Sequence, residues 1–369
     1  MSPWRLLRHQ GVGAAEGLAL DEALAAGYGR HSERRPPTLR LYTYRSHCAL
    51  VGRYQHLEAE VDLDACRRTA TPVNRRPTGG GAIVMGAGQL GVALATAAPA
   101  AQRPRQLLEG FAGGLIAGLA RLGVTAGFRG KNDLEVDGRK IAGLGLALDG
   151  SGGLLLHASV LADLDVAFML QVLRIPAAKL GGHAVASVEE RITTVTGQTG
   201  QRWDGQRLAG VVAAGFAEAL GVELALDRPT ADEQRRAAAL VTERYANPTW
   251  WHEHSPRPEA TTDAELRLPV GLVRLYLALS GDTIKSLLFT GDFTTVPGPL
   301  VALEEALRWK RLERAVVEPA VAACLAGHPE LGPPDAVAEA VLSAGTRRTA
   351  TAAPQRHGSC YFPEVLTPS

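Results

Sequence analysis

The chain has 369 residues, a soft prior of about two domains at roughly 150 residues each. Hydrophobic residues make up 46% and charged residues 21%, enough apolar material for a sizeable core and too much for wholesale disorder. Lys and Arg (39) almost cancel Asp and Glu (38), so composition gives no electrostatic case for a nucleic-acid partner or an anionic membrane.

Cys48, Cys66, Cys324 and Cys360 lie far apart with no C-x-x-C pair, against a disulfide framework or a structural zinc site and in keeping with a reducing, cytoplasmic setting. The N-terminal stretch reaches Glu16 and Asp21 before any long apolar run and makes a poor signal peptide. Pro77 to Gln102 is uncharged over 26 residues, but six glycines between Gly79 and Gly91 argue against a membrane helix. A glycine loop followed by two strands of an interior sheet, Ala82–Met85 and Leu90–Ala97, is the better reading.

In chain order, Ala15 to Tyr28 has the spacing of an amphipathic helix, with Leu18, Leu20, Leu24 and Ala25 apolar and Asp21 and Glu22 between them. Leu39–Gln55 predicts strand, turn, strand, and Asp62–Thr69 a short helix. Arg105–Gly123 predicts a core-packed helix closed by Gly123. Asp133–Leu148, turning at Asp137-Gly138, and Gly152–Asp163 predict a meander, followed by helices at Asp165–Leu173, Trp203–Leu220 and Arg228–Arg244. Asn247–Thr262 is a Pro-rich connector whose Trp pair packs back onto the first unit; His252 and His254 within it lack further ligands at zinc spacing. Strands near Val270–Leu279 and Thr283–Phe289 and helices near Pro299–Lys310 and Arg314–Leu325 complete a second unit. The expected organisation is a catalytic domain over residues 1–246, a linker over 247–262, an accessory domain over 263–345 and a loosely held tail over 346–369.

Two segments carry chemistry. In NRRPTGGGAIVM (Asn74–Met85), three glycines let a backbone approach an anion closely, and Arg75 and Arg76 can neutralise phosphate charge, although a surface turn with solvated arginines fits the spacing as well. Gly130-Lys131 is followed by Asn132, so it is not a Walker A loop, and the triple glycine opens onto a strand, which excludes the Rossmann fingerprint. In KNDLEVDGRKIAGLGLA (Lys131–Ala147), Lys140 at a strand start can span a carboxylate and an α-phosphate, with Ala142 and Gly143 leaving room for a ligand.

These segments, with LALDEAL (Leu18–Leu24), VGRYQ (Val51–Gln55), LLLHASVLADLD (Leu154–Asp165) and SVEERITTV (Ser187–Val195), resemble the two-domain type of the lipoate–protein ligase A family, within the biotin/lipoate ligase superfamily. The resemblance covers most of the chain. It departs from the family pattern at Met85-Gly86, at GGHAVASV and at Leu156-His157-Ala158-Ser159. It implies an α+β fold, with a mixed, largely antiparallel sheet flanked by helices and a smaller α/β accessory domain capping the groove.

The implied reaction joins lipoate to ATP, with Mg²⁺, to give lipoyl-adenylate and pyrophosphate, and then transfers the lipoyl group to a lysine of an acceptor lipoyl domain. By matched position Lys140 is catalytic and contacts both carbonyl and phosphate. Arg75, Arg76 and the backbone of Gly79, Gly80, Gly81, Ala82, Ile83 and Val84 would hold the nucleotide, with Asn132 and Asp133 lining the adenylate pocket. Lys140, Ala142, Gly143 and His157 would hold lipoate, and no metal ligands are assigned. Two alternatives are an octanoyl or lipoyl transferase, which would need an activated cysteine, and a non-catalytic homologue that binds a lipoyl domain. Cys48 and Cys66 sit where buried structural thiols are expected.

Overall fold

In this computed structural model the described residues are 3–29, 35–99, 103–174, 188, 190–260, 262–293 and 298–346. The tail beyond 346 and most of GGHAVASV, including Ser187, lie outside them. Strand β1 (Trp4–Val12) leads through the helix Ala14–Ala26 to β2 (Thr38–Tyr44) and β3 (Cys48–Val51). Two short helices, Leu57–Glu60 and Leu63–Arg68, precede β4 (Val73–Arg75), the glycine loop, β5 (Ile83–Met85) and β6 (Gln89–Ala97). The helix Pro104–Ala120 is followed by β7 (Gly127–Arg129), β8 (Asp133–Val136), β9 (Arg139–Leu148) and β10 (Gly153–Leu161). After the helices Val166–Val172, Val195–Thr199 and Gly205–Leu220 come β11 (Leu224–Leu226) and the helix Ala231–Leu240.

The principal sheet has the order β11-β1-β2-β6-β10-β9-β8-β7. Its β11–β1 and β1–β2 pairs are parallel and the rest antiparallel, so the fold is α+β with a mixed, largely antiparallel sheet. One face buries Leu41, Val92, Leu144 and Leu156 beneath the helices Pro104–Ala120 and Gly205–Leu220. Those helices touch backbone to backbone: a Cβ on Gly215 would lie 2.2 Å from the Gly118 nitrogen. The other face packs Tyr42, Ala93 and Leu155 against the helix Ala14–Ala26. Burying apolar area on both faces supplies the main driving force, at about 25 cal/mol per Å².

Two expectations need correction. Asp21, read as a polar spacer on an amphipathic helix, is fully buried, because small residues let this helix sink against the sheet. The strand after the glycine loop does not share a sheet with Leu90–Ala97: β5 joins β3 and β4 in a separate three-stranded sheet, β4-β3-β5. This small sheet carries the glycine loop between two of its strands and sets it against β9 and β10.

From Thr262 the chain forms a second sheet of β12 (Thr262–Leu268), β13 (Gly271–Ser280) and β14 (Thr283–Gly291), all antiparallel. The helices Gly298–Leu307, Arg314–Leu325 and Pro334–Thr346 pack on it around Leu275, Leu277, Leu303, Val321 and Val341. This C-terminal unit touches the glycine loop through main-chain groups. The Gly80 amide donates to the Phe293 carbonyl at 2.7 Å, and the Gly291 amide to the Tyr54 carbonyl at 2.9 Å. Lys131 donates to the Val270 carbonyl at 2.9 Å and to Asp292 at 3.1 Å.

Candidate active site

A single cleft is lined by Arg76, Thr78, Gly81, Ala82 and Ile83 of the loop region, by Asn132, by Lys140, Gly143 and Gly145 of β9, and by His157 and Ser159 of β10. Local geometry aims Lys140 into it. On β9 Lys140 faces Glu135 while Ala142 faces Leu134, a one-residue register shift at Ile141. Such a bulge re-aims the side chains beside it. The segment Arg191–Thr193 holds the strand from behind: the Lys140 amide donates to the Arg191 carbonyl and the Thr193 amide to the Lys140 carbonyl, both at 2.8 Å. A Cβ at Gly143 would lie 3.0 Å from the Lys140 ammonium, so the glycine gives that side chain its path. The ammonium ends 2.7 Å from Asp133 Oδ1. That oxygen is buried and without a hydrogen-bond partner, so the contact is an ion pair with poor hydrogen-bond angles.

The two adjacent arginines do different things. Arg75 is fully buried, and its guanidinium donates to the carbonyls of Gly52, Arg53, Gln55, Trp250 and Trp251 at 2.6–3.1 Å. Burial first, and Arg53 second, push its pKa down to about 10. Its donors are spent on main chain, so the expected phosphate role gives way to a structural one: it pins the connector. Trp250 returns an indole N–H to the Arg75 carbonyl at 2.8 Å. Arg76 holds the loop from inside, donating to the carbonyls of Leu50, Gly79 and Gly81 at 2.7–3.1 Å.

The loop is packed without slack. Gly80 has φ of +95°, and a Cβ at Gly52 would lie 1.8 Å from the Gly80 carbonyl oxygen. Of the expected nucleotide contacts, Gly81, Ala82 and Ile83 reach the cleft. Val84 is outside the lining, and strand alternation turns its side chain into a core with Ala49 and Val51. Ala142 is likewise directed away, into the core beside Leu134, which corrects its expected lipoate contact, whereas Gly143 and His157 line the cleft. Gly79 and Gly80 shape the loop from behind through the bonds to Arg76 and Phe293. Asn132 donates to the Leu144 carbonyl at 2.6 Å, tying its own segment to β9.

Sequence reasoning missed a buried network beneath this cleft. Asp21 meets Arg40 Nη1 at 2.5 Å, accepts from the Tyr42 hydroxyl at 2.7 Å, and lies 2.9 Å from His157 Nε2; His157 Nδ1 is 3.2 Å from Thr78 Oγ1. The available signal was an aspartate spaced three residues from both Leu18 and Leu24. None of the described cysteines lines the cleft. Burial drives Cys48 far above the usual thiol range and Cys66 up to about 11. Among the described residues no three His, Cys, Asp or Glu side chains are grouped to hold a metal ion. His252 pairs instead with Glu58 at 2.7 Å.

Residues 13–217, more than half the chain, match the model of the lipoyl protein ligase A/B catalytic domain. The chain belongs to this family. Octanoyltransferase LipM of Symbiobacterium thermophilum is 30% identical over 272 residues, covering 67% of this chain and 97% of that family member. The structure of a bipartite lipoate protein ligase and its E2 lipoyl domain from Thermoplasma acidophilum contains a chain that is 25% identical with a TM-score of 0.62, covering 70% of this chain and 99% of that one. A lipoate–protein ligase A bound with ATP is 25% identical with a TM-score of 0.59, over 68% and 98%. The large sheet flanked by helices is the fold of these family structures.

Proposed function

We propose that this protein is a lipoate–protein ligase, which activates lipoate with ATP to lipoyl-adenylate and transfers the lipoyl group to a lysine of an acceptor lipoyl domain. One observation carries the reading: the Lys140 ammonium and the backbone of Gly81 and Ala82 line the same cleft. A carboxylate and an α-phosphate repel each other as they approach, and a cation fixed between them stabilises the charge of the transition state. Arg76, held in the wall of the cleft by three carbonyls, adds a second positive charge with no rearrangement. The glycines on β9 keep that wall low enough for an acyl chain to lie along it.

Mg²⁺ is held through one or two carboxylates plus substrate phosphates. Asp133 is the carboxylate beside Lys140, but its Oδ1 already meets the ammonium at 2.7 Å, so the residues present do not form a Mg²⁺ site of their own and the ion would be held through the substrate phosphates. In this reading Asn132 lines the adenylate pocket, and Gly143 and His157 lie along the acyl chain. Free Cys48, Cys66 and Cys324 accord with the reducing cytoplasm.

The identity to an octanoyltransferase favours a second reading, acyl transfer between proteins without ATP. Transfer through a thioester needs a thiolate at the reacting carbonyl, and the cleft presents an ammonium there. Lipoate-dependent exchange of pyrophosphate into ATP, abolished in Lys140→Ala, is the expected result. An absence of exchange in the native protein, with octanoyl transfer from an acylated carrier, would establish the second reading instead.

A further inference from the structure

The buried network under the cleft has a direction. Burial raises the Asp21 carboxyl, but Arg40 at 2.5 Å and the hydrogen bonds from His157 and the Tyr42 hydroxyl more than offset this, so the group is ionised. An ionised carboxylate only accepts hydrogen bonds, so His157 Nε2 carries a proton toward it. In the neutral ring Nδ1 is then bare, and the Thr78 hydroxyl donates to it. Asp21 and Thr78 have no solvent-exposed surface and His157 keeps 8%, and Thr78 and His157 both form part of the wall of the cleft that holds Lys140. A carboxylate that orients an imidazole toward a hydroxyl is the arrangement of a general base.

We propose that Thr78 and His157, oriented by Asp21, relay a proton away from the acceptor lysine during acyl transfer. The inference rests on the ligase reading and adds to it the group that accepts the proton of the second step. The lysine nitrogen attacks the acyl carbon, forming the N–C bond, and the bond from that carbon to the AMP phosphate oxygen breaks. Before attack the lysine ammonium gives one proton to Thr78 Oγ1 as the Thr78 hydroxyl proton passes to His157 Nδ1, which leaves the neutral nitrogen that attacks. AMP leaves with the electron pair and takes the second nitrogen proton on its phosphate, and the imidazolium is stabilised by Asp21 until its own proton is lost to solvent. Asp21 is a positioning residue. The charged and titratable groups around His157 are Asp21 on the helix Ala14–Ala26, Arg40, Tyr42 and Tyr44 on β2, and Arg76 and Lys140 across the cleft; His9 lies beyond, 3.2 Å from Arg40.

The test presents synthetic lipoyl-adenylate and a purified acceptor lipoyl domain to the native protein, His157→Asn, Thr78→Val and Thr78→Ser, and follows single-turnover transfer by intact mass. ATP–pyrophosphate exchange is measured alongside. Asn retains a hydrogen bond to Thr78 but takes up no proton, so transfer is expected to fall about 10²–10⁴-fold, at least tenfold further than exchange. The deficit narrows from pH 7 toward pH 10 as the acceptor amine, with an ordinary pKa of about 10.4, deprotonates unaided. Thr78→Ser exceeds Thr78→Val by tenfold or more. Native transfer rates in His157→Asn, equal loss of both steps, or a deficit constant across pH overturn the relay while leaving the ligase standing. A native protein that does not use the adenylate overturns both.

Discussion

Arg75→Met separates a structural arginine from a nucleotide-binding one. Methionine fills much of the aliphatic stem but takes the guanidinium from the carbonyls of Gly52, Arg53, Gln55, Trp250 and Trp251, of which Gly52 and Trp250 keep an amide donor. Hydrogen bonds to a charged group contribute about 1.5–3 kcal/mol each, and the buried guanidinium has already lost several kcal/mol of hydration, so the net loss is about 3–5 kcal/mol. At roughly 2–4 °C per kcal/mol for a domain of this size, the melting midpoint drops by about 6–20 °C. Calorimetry reads the midpoint, and exchange kinetics below the transition read the KM for ATP. A native melting midpoint with a strongly raised KM for ATP would refute the assignment of Arg75 to the connector and return it to phosphate binding.

Lys140→Met should cost about 1 kcal/mol, because both side chains of its ion pair are about a third exposed although the Asp133 oxygen it meets is buried. Adenylate formation should fall at least about 10²-fold, measured by exchange. Gly52→Ala drives a methyl group into the Gly80 carbonyl, and overpacking of that kind should cost about 1–3 kcal/mol and displace the loop, visible as weakened ATP binding by calorimetry. Burial pushes Glu304 up to about 7, a shift reduced by the Phe289 amide that its carboxyl accepts at 2.7 Å. Because the folded pKa exceeds the unfolded value of 4.5, the stability it contributes is full below 4.5 and lost as pH rises through 7. Glu304→Gln keeps the acceptor and should be more stable than the native protein at pH 8 by about 1–3 kcal/mol, the difference vanishing below pH 4.5 in denaturant titrations.

What the sequence made legible is local. The Asp137-Gly138 turn needs φ above zero at both residues, and they adopt +50° and +74°. The triple glycine and the Lys140 strand were visible because backbone freedom and a cation at a strand start are written into adjacent residues. What it hid depends on distance. Arg75 and Arg76 are chemically alike, and only the arrival of Trp250 and Trp251, some 175 residues later, makes one of them a clasp. The strands β1 and β12 carry charges at short spacing and gain strand character from neighbours brought in by the fold: β2 and β11 flank the first, and β13 pairs with the second. Likewise, the helix Pro334–Thr346 completes a core walled also by β12, β13, β14 and the helices Gly298–Leu307 and Arg314–Leu325. The burial of Asp21 depends on partners on β2 and β10 that helical periodicity does not register.

The seam between the catalytic and C-terminal units joins peptide groups, Gly80 to Phe293 and Gly291 to Tyr54, with the side-chain pairs Lys131–Asp292, Arg274–Glu60 and His56–Tyr276. Peptide groups are the same whatever side chain they bear, so substitution at the first set alters the fit far less than substitution at the second. Two pieces separated by a cut in the connector would keep the donors and acceptors by which they recognise each other, and co-expression of such fragments would ask whether they reunite.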